Sequence, residues 1–419
     1  MNSQVERRDV VIIGAGPSGS IAAALMKRRG WDVLVLEAQQ FPRFVIGESL
    51  LTHCLDFIDE AGMLPAVRAA GFKHKNGAAF IRREEYGEVD FREQFTPGHE
   101  STYQVPRAAF DKLLADEAEK QGAEIRYLVR VVAFDNSQMP VRVTTENAQG
   151  ERAVIEAKFV FDASGFARVL PKLLNLETPS NFPSRAAVFS HVIDHAPADA
   201  FDRDKVQISV HPRHKDVWYW IIPFADHRCS VGCAASQEFF ANYSADNATR
   251  IKQLFAEEPF MAKTFENAVW DSPVRSQAGY AASVKSMWGP GFALLGNAAE
   301  FLDPVFSSGI TIAMKSASLA AAVLDRQFRG ESVDWNREFE APLRKGVDVF
   351  RLYVYAWYDG RFQDIMFSSN RAPGIRRMIC SILAGYAWDE SNPFVADAER
   401  RLDTLAQLCR PAPSIGQVQ

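Results

Sequence analysis

The chain has 419 residues, which favours two or three domains, or one large domain with insertions, and excludes a disulfide-stapled miniprotein or a lone binding motif. Apolar residues make up 47% and charged residues 24%, ordinary globular usage that excludes a mostly disordered chain. Lys and Arg number 47 against 52 Asp and Glu, and the net charge of −5 supplies no global attraction to nucleic acid or to an anionic membrane.

In chain order, residues 9–37 read as strand, glycine turn, helix and strand. Val10, Val11, Ile12 and Ile13 form the short apolar run of a buried parallel strand, residues 21–27 are alanine-rich and helical, and residues 32–37 give the second strand. This is a βαβ unit. Helices are expected over residues 51–61 and from Pro106 through Phe110, Leu113, Leu114 and Ala118, and a strand over 153–163 that turns at Asp162. Between residues 182 and 235 the pattern changes to period two, most clearly at 206–210 and 217–224, and predicts a mostly antiparallel sheet. Strand, glycine turn and helix return at 292–295 and 310–324. Residues 335–408 are helical, with Phe339, Leu343, Val347, Phe350, Val354 and Trp357 on one stripe, and residues 410–419 are expected to fray. The expected fold is α/β. A discontinuous domain from residues 1–180 and 276–330 holds an inserted substrate-side sheet at 181–275 and is followed by a helical region at 331–419.

The first glycine turn, Gly14-Ala15-Gly16-Pro17-Ser18-Gly19, matches G-x-G-x-x-G between a strand and a helix. Gly14 permits the tight turn, Gly16 lets backbone approach a pyrophosphate at the helix N-terminus, and Gly19 allows helix and strand to pack closely. Glu37 ends the next strand, where a carboxylate binds ribose hydroxyls and disfavours the 2′-phosphate of NADP. These residues predict a dinucleotide site, with Ser18 in the first turn of its helix.

Further motifs select the dinucleotide. Phe41-Pro42-Arg43, Gly47-Glu48-Ser49, Arg107 after Val105-Pro106, Asp162-Ala163-Ser164-Gly165, and Gly296-Asn297-Ala298-Ala299 with Asp303-Pro304 stand in the order seen in FAD-dependent monooxygenases. The chain resembles that superfamily over residues 8–330. The resemblance implies a Rossmann-like FAD domain of the aromatic hydroxylase (GR2) type. It assigns Arg43, Ser49, Arg107, Asp162, Gly296 and Asp303 to FAD, with Asn297 where the usual residue is Asp. The helix N-terminus at Gly309 and Ile310 is expected to face the isoalloxazine ring. Trp218-Tyr219-Trp220-Ile221-Ile222-Pro223 is more discriminating, because on a strand Trp218, Trp220 and Ile222 share one face. W-x-W-x-I-P distinguishes flavin-dependent halogenases from flavin hydroxylases, and the chain resembles the halogenases. Members of that family carry a lysine in the segment before an aromatic strand residue; Lys75, five residues before Phe80, fits, and Lys73 is its rival.

The resemblance also implies a mechanism. Reduced FAD, supplied by a separate flavin reductase, reacts with O₂ to a C4a-hydroperoxide, and chloride or bromide held by the N–H groups of Ser308 and Gly309 attacks it to give hypohalous acid. Lys75 then holds that oxidant by hydrogen bond, or as a haloamine, beside an electron-rich ring. Trp218 and Trp220 are implied to keep the substrate away from the hydroperoxide, and a low-dielectric pocket lowers the pKa of Lys75. Tryptophan-specific members have Glu two residues before the position of Ser308; here Phe306 stands there, which argues against free tryptophan and removes one general base. The compact length resembles halogenases of carrier-tethered pyrroles or of phenols. The rings Phe350, Tyr353, Trp357, Tyr358, Phe362 and Phe367 form either an arene lid or helical core. Seven basic against four acidic residues between Glu340 and Cys380 suit either an acidic carrier protein or a solvated face.

The rival of the same fold is a flavin hydroxylase or a prenyl-lipid reductase. Histidines and cysteines around residues 211–233 fit no zinc spacing, and no metal is expected. Cys54, Cys229, Cys233, Cys380 and Cys409 are scattered and odd in number, as free thiols in a reducing compartment are. Neither a signal peptide nor a membrane span is legible, so the expected location is cytoplasmic.

Overall fold

The structure is a computed structural model that describes residues 5–180, 182, 184–279, 282–369 and 372–410; beyond Arg410 the expected frayed tail lies outside them. Two compact units divide the chain, the first from residues 1–73, 102–184 and 279–347, the second from 74–101, 185–278 and 348–419.

The first unit is built on an eight-stranded sheet whose centre is parallel. Glu6–Ile13 lies between Val33–Glu37 and Arg152–Asp162, and Phe292–Leu294 adds beyond the last of these. Val10 to Ile13 and Val33 to Leu36 are β-branched or leucine and buried on both faces, as crossover-covered parallel strands require. The helix Pro17–Arg28 begins with proline at its first turn, where no N–H is needed, and packs against the helix Ser308–Phe328. Arg107–Lys120 starts where Pro106 predicted. The expected helix over 51–61 is confined to Cys54–Glu60; Leu51 to His53 lead into it as a turn, with Cys54 N–H donating to Leu51 O and Leu55 N–H to Thr52 O, both at 3.0 Å.

The second unit carries a seven-stranded sheet, antiparallel except where Gly77–Arg82 runs parallel to Lys205–Val210. The α/β architecture is thus the expected one, but its division differs in two places. Residues 74–101 belong with the second sheet, because Gly77–Arg82 pairs there and folds back through Glu85–Asp90. Of the expected separate helical region at 331–419, residues 331–347 fall in the first unit, and the described residues from 348 to 410 pack with the second sheet. The main chain of Met366 is so close to Gly87 that a Cβ on the glycine would lie 2.5 Å from the Met366 carbonyl oxygen, and Phe95 N–H donates to Arg377 O at 3.1 Å. The physical reason is the apolar stripe, which has to bury against another layer.

Candidate active site

In the first unit the glycine turn forms an empty-sided cradle. Gly14 has φ +97°, and a Cβ on it would lie 2.6 Å from Ala163 O; one on Gly19 would lie 1.9 Å from Gly14 O. Gly16 caps the helix Pro17–Arg28 without any side chain on the first-turn N–H groups, which leaves them for an anion. Glu37 is buried, its Oε2 accepting from Ala15 N–H at 2.9 Å and its Oε1 from Gln39 N–H at 2.9 Å, so the carboxylate is fixed at the strand end. Ser49 Oγ is buried and has no hydrogen-bond partner, an orphan that a bound hydroxyl or phosphate would satisfy. Cradle, fixed carboxylate and orphan hydroxyl together fit FAD.

Two expected contacts have local partners instead of open faces. Arg107 forms a fork with Asp111 at 2.7 and 2.9 Å and donates to Ile46 O at 2.9 Å, and Arg43 reaches Asp111 at 3.2 Å and Glu37 at 3.8 Å. Asp111 is therefore the hub of the arginine cluster. The sequence reading missed it, although its position four residues after Arg107 on one helix was the signal. Asp162 accepts from Ser164 N–H at 2.9 Å and Leu170 N–H at 2.7 Å, and burial pushes its carboxyl above the usual range. It holds the turn beside Gly14.

The late glycine motif meets the first. A Cβ on Gly296 would lie 3.6 Å from Ser18 Oγ and 2.8 Å from the Ala313 methyl, and the Gly296 N–H donates to Ser316 Oγ at 2.9 Å. Asn297 Oδ1 would be 3.9 Å from a Cβ on Gly309, which places the amide beside the helix start. Asp303 accepts from Val305 N–H at 3.0 Å and so shapes the turn that leads to Ser307, whose φ is +56°. Ser307 precedes the helix Ser308–Phe328 without a side-chain cap, so the N–H groups of Ser308, Gly309 and Ile310 start it uncapped.

In the second unit Lys75 is 1% exposed, with Nζ 5.3 Å from the Phe91 ring centre, whereas Lys73 is half-buried. Main-chain bonds fix its neighbour: Asn76 N–H donates to Asp204 O and Phe91 N–H to Asn76 O, both at 2.8 Å. Trp218 and Trp220 are buried on the strand Trp218–Pro223, ring centres 5.7 Å apart. Trp218 Nε1 donates to Tyr358 Oη at 3.0 Å and Trp220 Nε1 to Ser230 Oγ at 3.3 Å. Gly232 faces Trp220 across the ladder and leaves room for the indole; a Cβ there would lie 2.3 Å from Trp220 Cζ2. Phe350, Tyr353, Trp357 and Phe362 are completely buried, so these four rings are core, while Tyr358 is half-buried and binds Trp218. His211 is held between Glu257 and the Arg213 N–H. Among the described residues no three His, Cys, Asp or Glu side chains group as metal ligands, and no helix is long and apolar enough to cross a membrane.

A protein family described as "FAD binding domain" matches residues 7–337. The chain is 28% identical to the 1H-pyrrole-2-carbonyl-[peptidyl-carrier protein] chlorinase of Pseudomonas fluorescens, over 94% of this chain and 92% of that protein. It is 30% identical to the flavin-dependent halogenase gsfI of Penicillium aethiopicum, over 83% of this chain and 70% of that one. Among solved structures, a flavoprotein/dehydrogenase from Cytophaga hutchinsonii superposes with a TM-score of 0.93 at 42% identity, covering 96% of this chain and 99% of that one.

Proposed function

The chain belongs to the FAD binding domain family, among the flavin-dependent halogenases, and from that premise we propose that it chlorinates or brominates an electron-rich aromatic ring with Lys75 as the catalytic amine. The first unit holds FAD: the N–H groups at Gly16 to Ser18 take the pyrophosphate, Glu37 the ribose, and Ser49 a ribityl or phosphate oxygen. Asp111 keeps Arg43 and Arg107 in place, and the uncapped N–H groups of Ser308 and Gly309 hold the halide. Reduced FAD, when bound, supplies the two electrons by which O₂ and halide become hypohalous acid.

The burial of Lys75 carries this reading. An apolar surround disfavours a charged ammonium, and Lys75 lies fully buried with its Nζ beside the Phe91 ring. A neutral amine hydrogen-bonds hypohalous acid, or takes its halogen as a haloamine with release of water. Transfer of that halogen to the ring displaces the ring proton, which passes to the nitrogen and restores its N–H. Trp218 and Trp220 present a dry apolar face on the seven-stranded sheet, whose strand Gly77–Arg82 begins two residues after Lys75. Phe306 stands where tryptophan-specific members have Glu, which favours a phenol or a pyrrole, the latter carrier-tethered as in the Pseudomonas relative. A separate flavin reductase delivers the reduced cofactor.

The test supplies a flavin reductase, NADH, O₂ and bromide with phenols, indoles and carrier-bound pyrrolyl groups, and reads products by mass spectrometry. Lys75→Ala is expected to lower bromination at least about a hundredfold, the scale of a lost proton-handling group, and Lys73→Ala to leave it near wild type. The opposite pattern removes Lys75 from the chemistry. NADH oxidation by the purified protein alone, with hydroxylated or reduced products, replaces the halogenase reading with its same-fold rival.

A further inference from the structure

One buried cation of the second unit is only partly answered. Arg185 opens the strand Arg185–Ile193 and is 7% exposed. Its Nη1 donates to the Asp216 carbonyl at 2.7 Å, and the Asp216 carboxylate stands 3.6 Å from Nη2, too far for a hydrogen bond and itself largely in solvent. The guanidinium lies over the Tyr358 ring at 3.5 Å. Its Nε–H is buried and has no hydrogen-bond partner. A guanidinium carries five donors and cannot shed its charge, so a buried donor left unmet is a costly defect unless a ligand completes it.

The surroundings say what kind of ligand. Tyr358, under the guanidinium, accepts from Trp218 Nε1 at 3.0 Å, so Arg185 stands one ring away from the paired indoles. We infer that Arg185 is a substrate-binding residue whose Nε–H takes an oxygen acceptor attached to the aromatic ring, either a carboxylate or the carbonyl of a thioester. The inference rests on the halogenation reading and names its substrate class. It runs against intrinsic reactivity: a carbonyl substituent withdraws electrons and slows electrophilic substitution, so free hypohalite prefers the bare ring. Preference for the carbonyl-bearing ring then has to come from the protein. A site built around a donor rejects a partner that leaves the donor unpaired.

Matched rings test it: pyrrole-2-carboxylate, its N-acetylcysteamine thioester and unsubstituted pyrrole, in the bromide assay with flavin reductase. Wild type is expected to show kcat/KM at least tenfold higher for one carbonyl-bearing ring than for pyrrole, and the acid and thioester arms tell free carboxylate from acyl group. Arg185→Met is expected to collapse that ratio at least tenfold, mainly through KM. Arg185→Lys, which keeps the charge but removes the Nε–H, is expected to do the same and serves if the Met variant fails to fold. Calorimetric binding of the acid and of the thioester to resting protein gives a readout without turnover, expected to weaken at least tenfold in either variant. Equal use of bare pyrrole by wild type, or an unchanged ratio and affinity in both variants, overturns the assignment. If no ring is halogenated but binding still depends on Arg185, the halogenation reading fails and this site stands.

Discussion

Gly232 sets the position of Trp220 more directly than any side chain that bonds to it. Because a Cβ there would lie 2.3 Å from Trp220 Cζ2 and 2.8 Å from the Phe189 Cβ, Gly232→Ala forces the indole off its place. We expect a loss of about 1–3 kcal/mol, the usual cost of overpacking, seen in urea denaturation, together with altered tryptophan fluorescence. Wild-type stability and an unchanged spectrum would mean that the indole is not confined there. At this scale the sequence was informative wherever one residue type does one job. Glycines in the turn, Glu37 at a strand end and two tryptophans of one parity are legible because backbone periodicity alone decides which way they point. Asp111, Ser230 and Tyr358 were not, since their partners Arg107, Trp220 and Trp218 are chosen by tertiary contact. The rings Phe350, Tyr353, Trp357, Tyr358, Phe362 and Phe367 show the same limit: helical spacing gave a stripe, and only packing separated four core rings from Tyr358.

Between elements, His211 ties the end of the strand Lys205–Val210 to the end of the helix Asn247–Glu257. Its Nδ1 accepts from Arg213 N–H at 3.1 Å, and its Nε2 faces Glu257 at 3.2 Å, which selects the neutral Nε2–H tautomer. Tyr219, His214 and Phe239 stand beside the ring, Tyr243 Oη donates to Glu257 at 2.9 Å, and the Arg213 guanidinium also pairs with Glu257. Burial holds the imidazole below its ordinary 6.5, although Glu257 pulls the other way. As pH falls past 6.5 the unfolded chain takes up the proton first, so stability present above that pH is lost as the folded pKa is approached. Urea midpoints should drop from pH 7.5 to 5.5, and less so in His211→Gln; identical slopes in both would assign the effect elsewhere. Elements with local cues were legible, such as the helix announced by Pro106 and the alternating strand Trp218–Pro223. The resemblance marked Phe80 as a strand residue, but the parallel pairing of Gly77–Arg82 with Lys205–Val210 was not legible, because that partner lies far along the chain and nothing local reports it.

For the whole molecule, flavin binding and folding are linked. A ligand at a hundred times its dissociation constant adds about 2.7 kcal/mol to whatever must unfold to release it. Hydrogen exchange with and without FAD should therefore gain protection in residues 5–73, 102–180 and 282–347; no gain there would place the cofactor elsewhere. The threefold interleaving of the two units also bears on synthesis. When Gly77–Arg82 leaves the ribosome, its parallel partner Lys205–Val210 is still about 120 residues from being made, which at about 5–20 residues per second is a wait of roughly 6–25 s. Throughout that interval the nascent chain carries an apolar strand with an open edge, the state in which chains aggregate or recruit a chaperone. Slow elongation or scarce chaperone while residues 82 to 205 are being made is thus expected to lower yield in a heterologous host, whatever the stability of the finished protein.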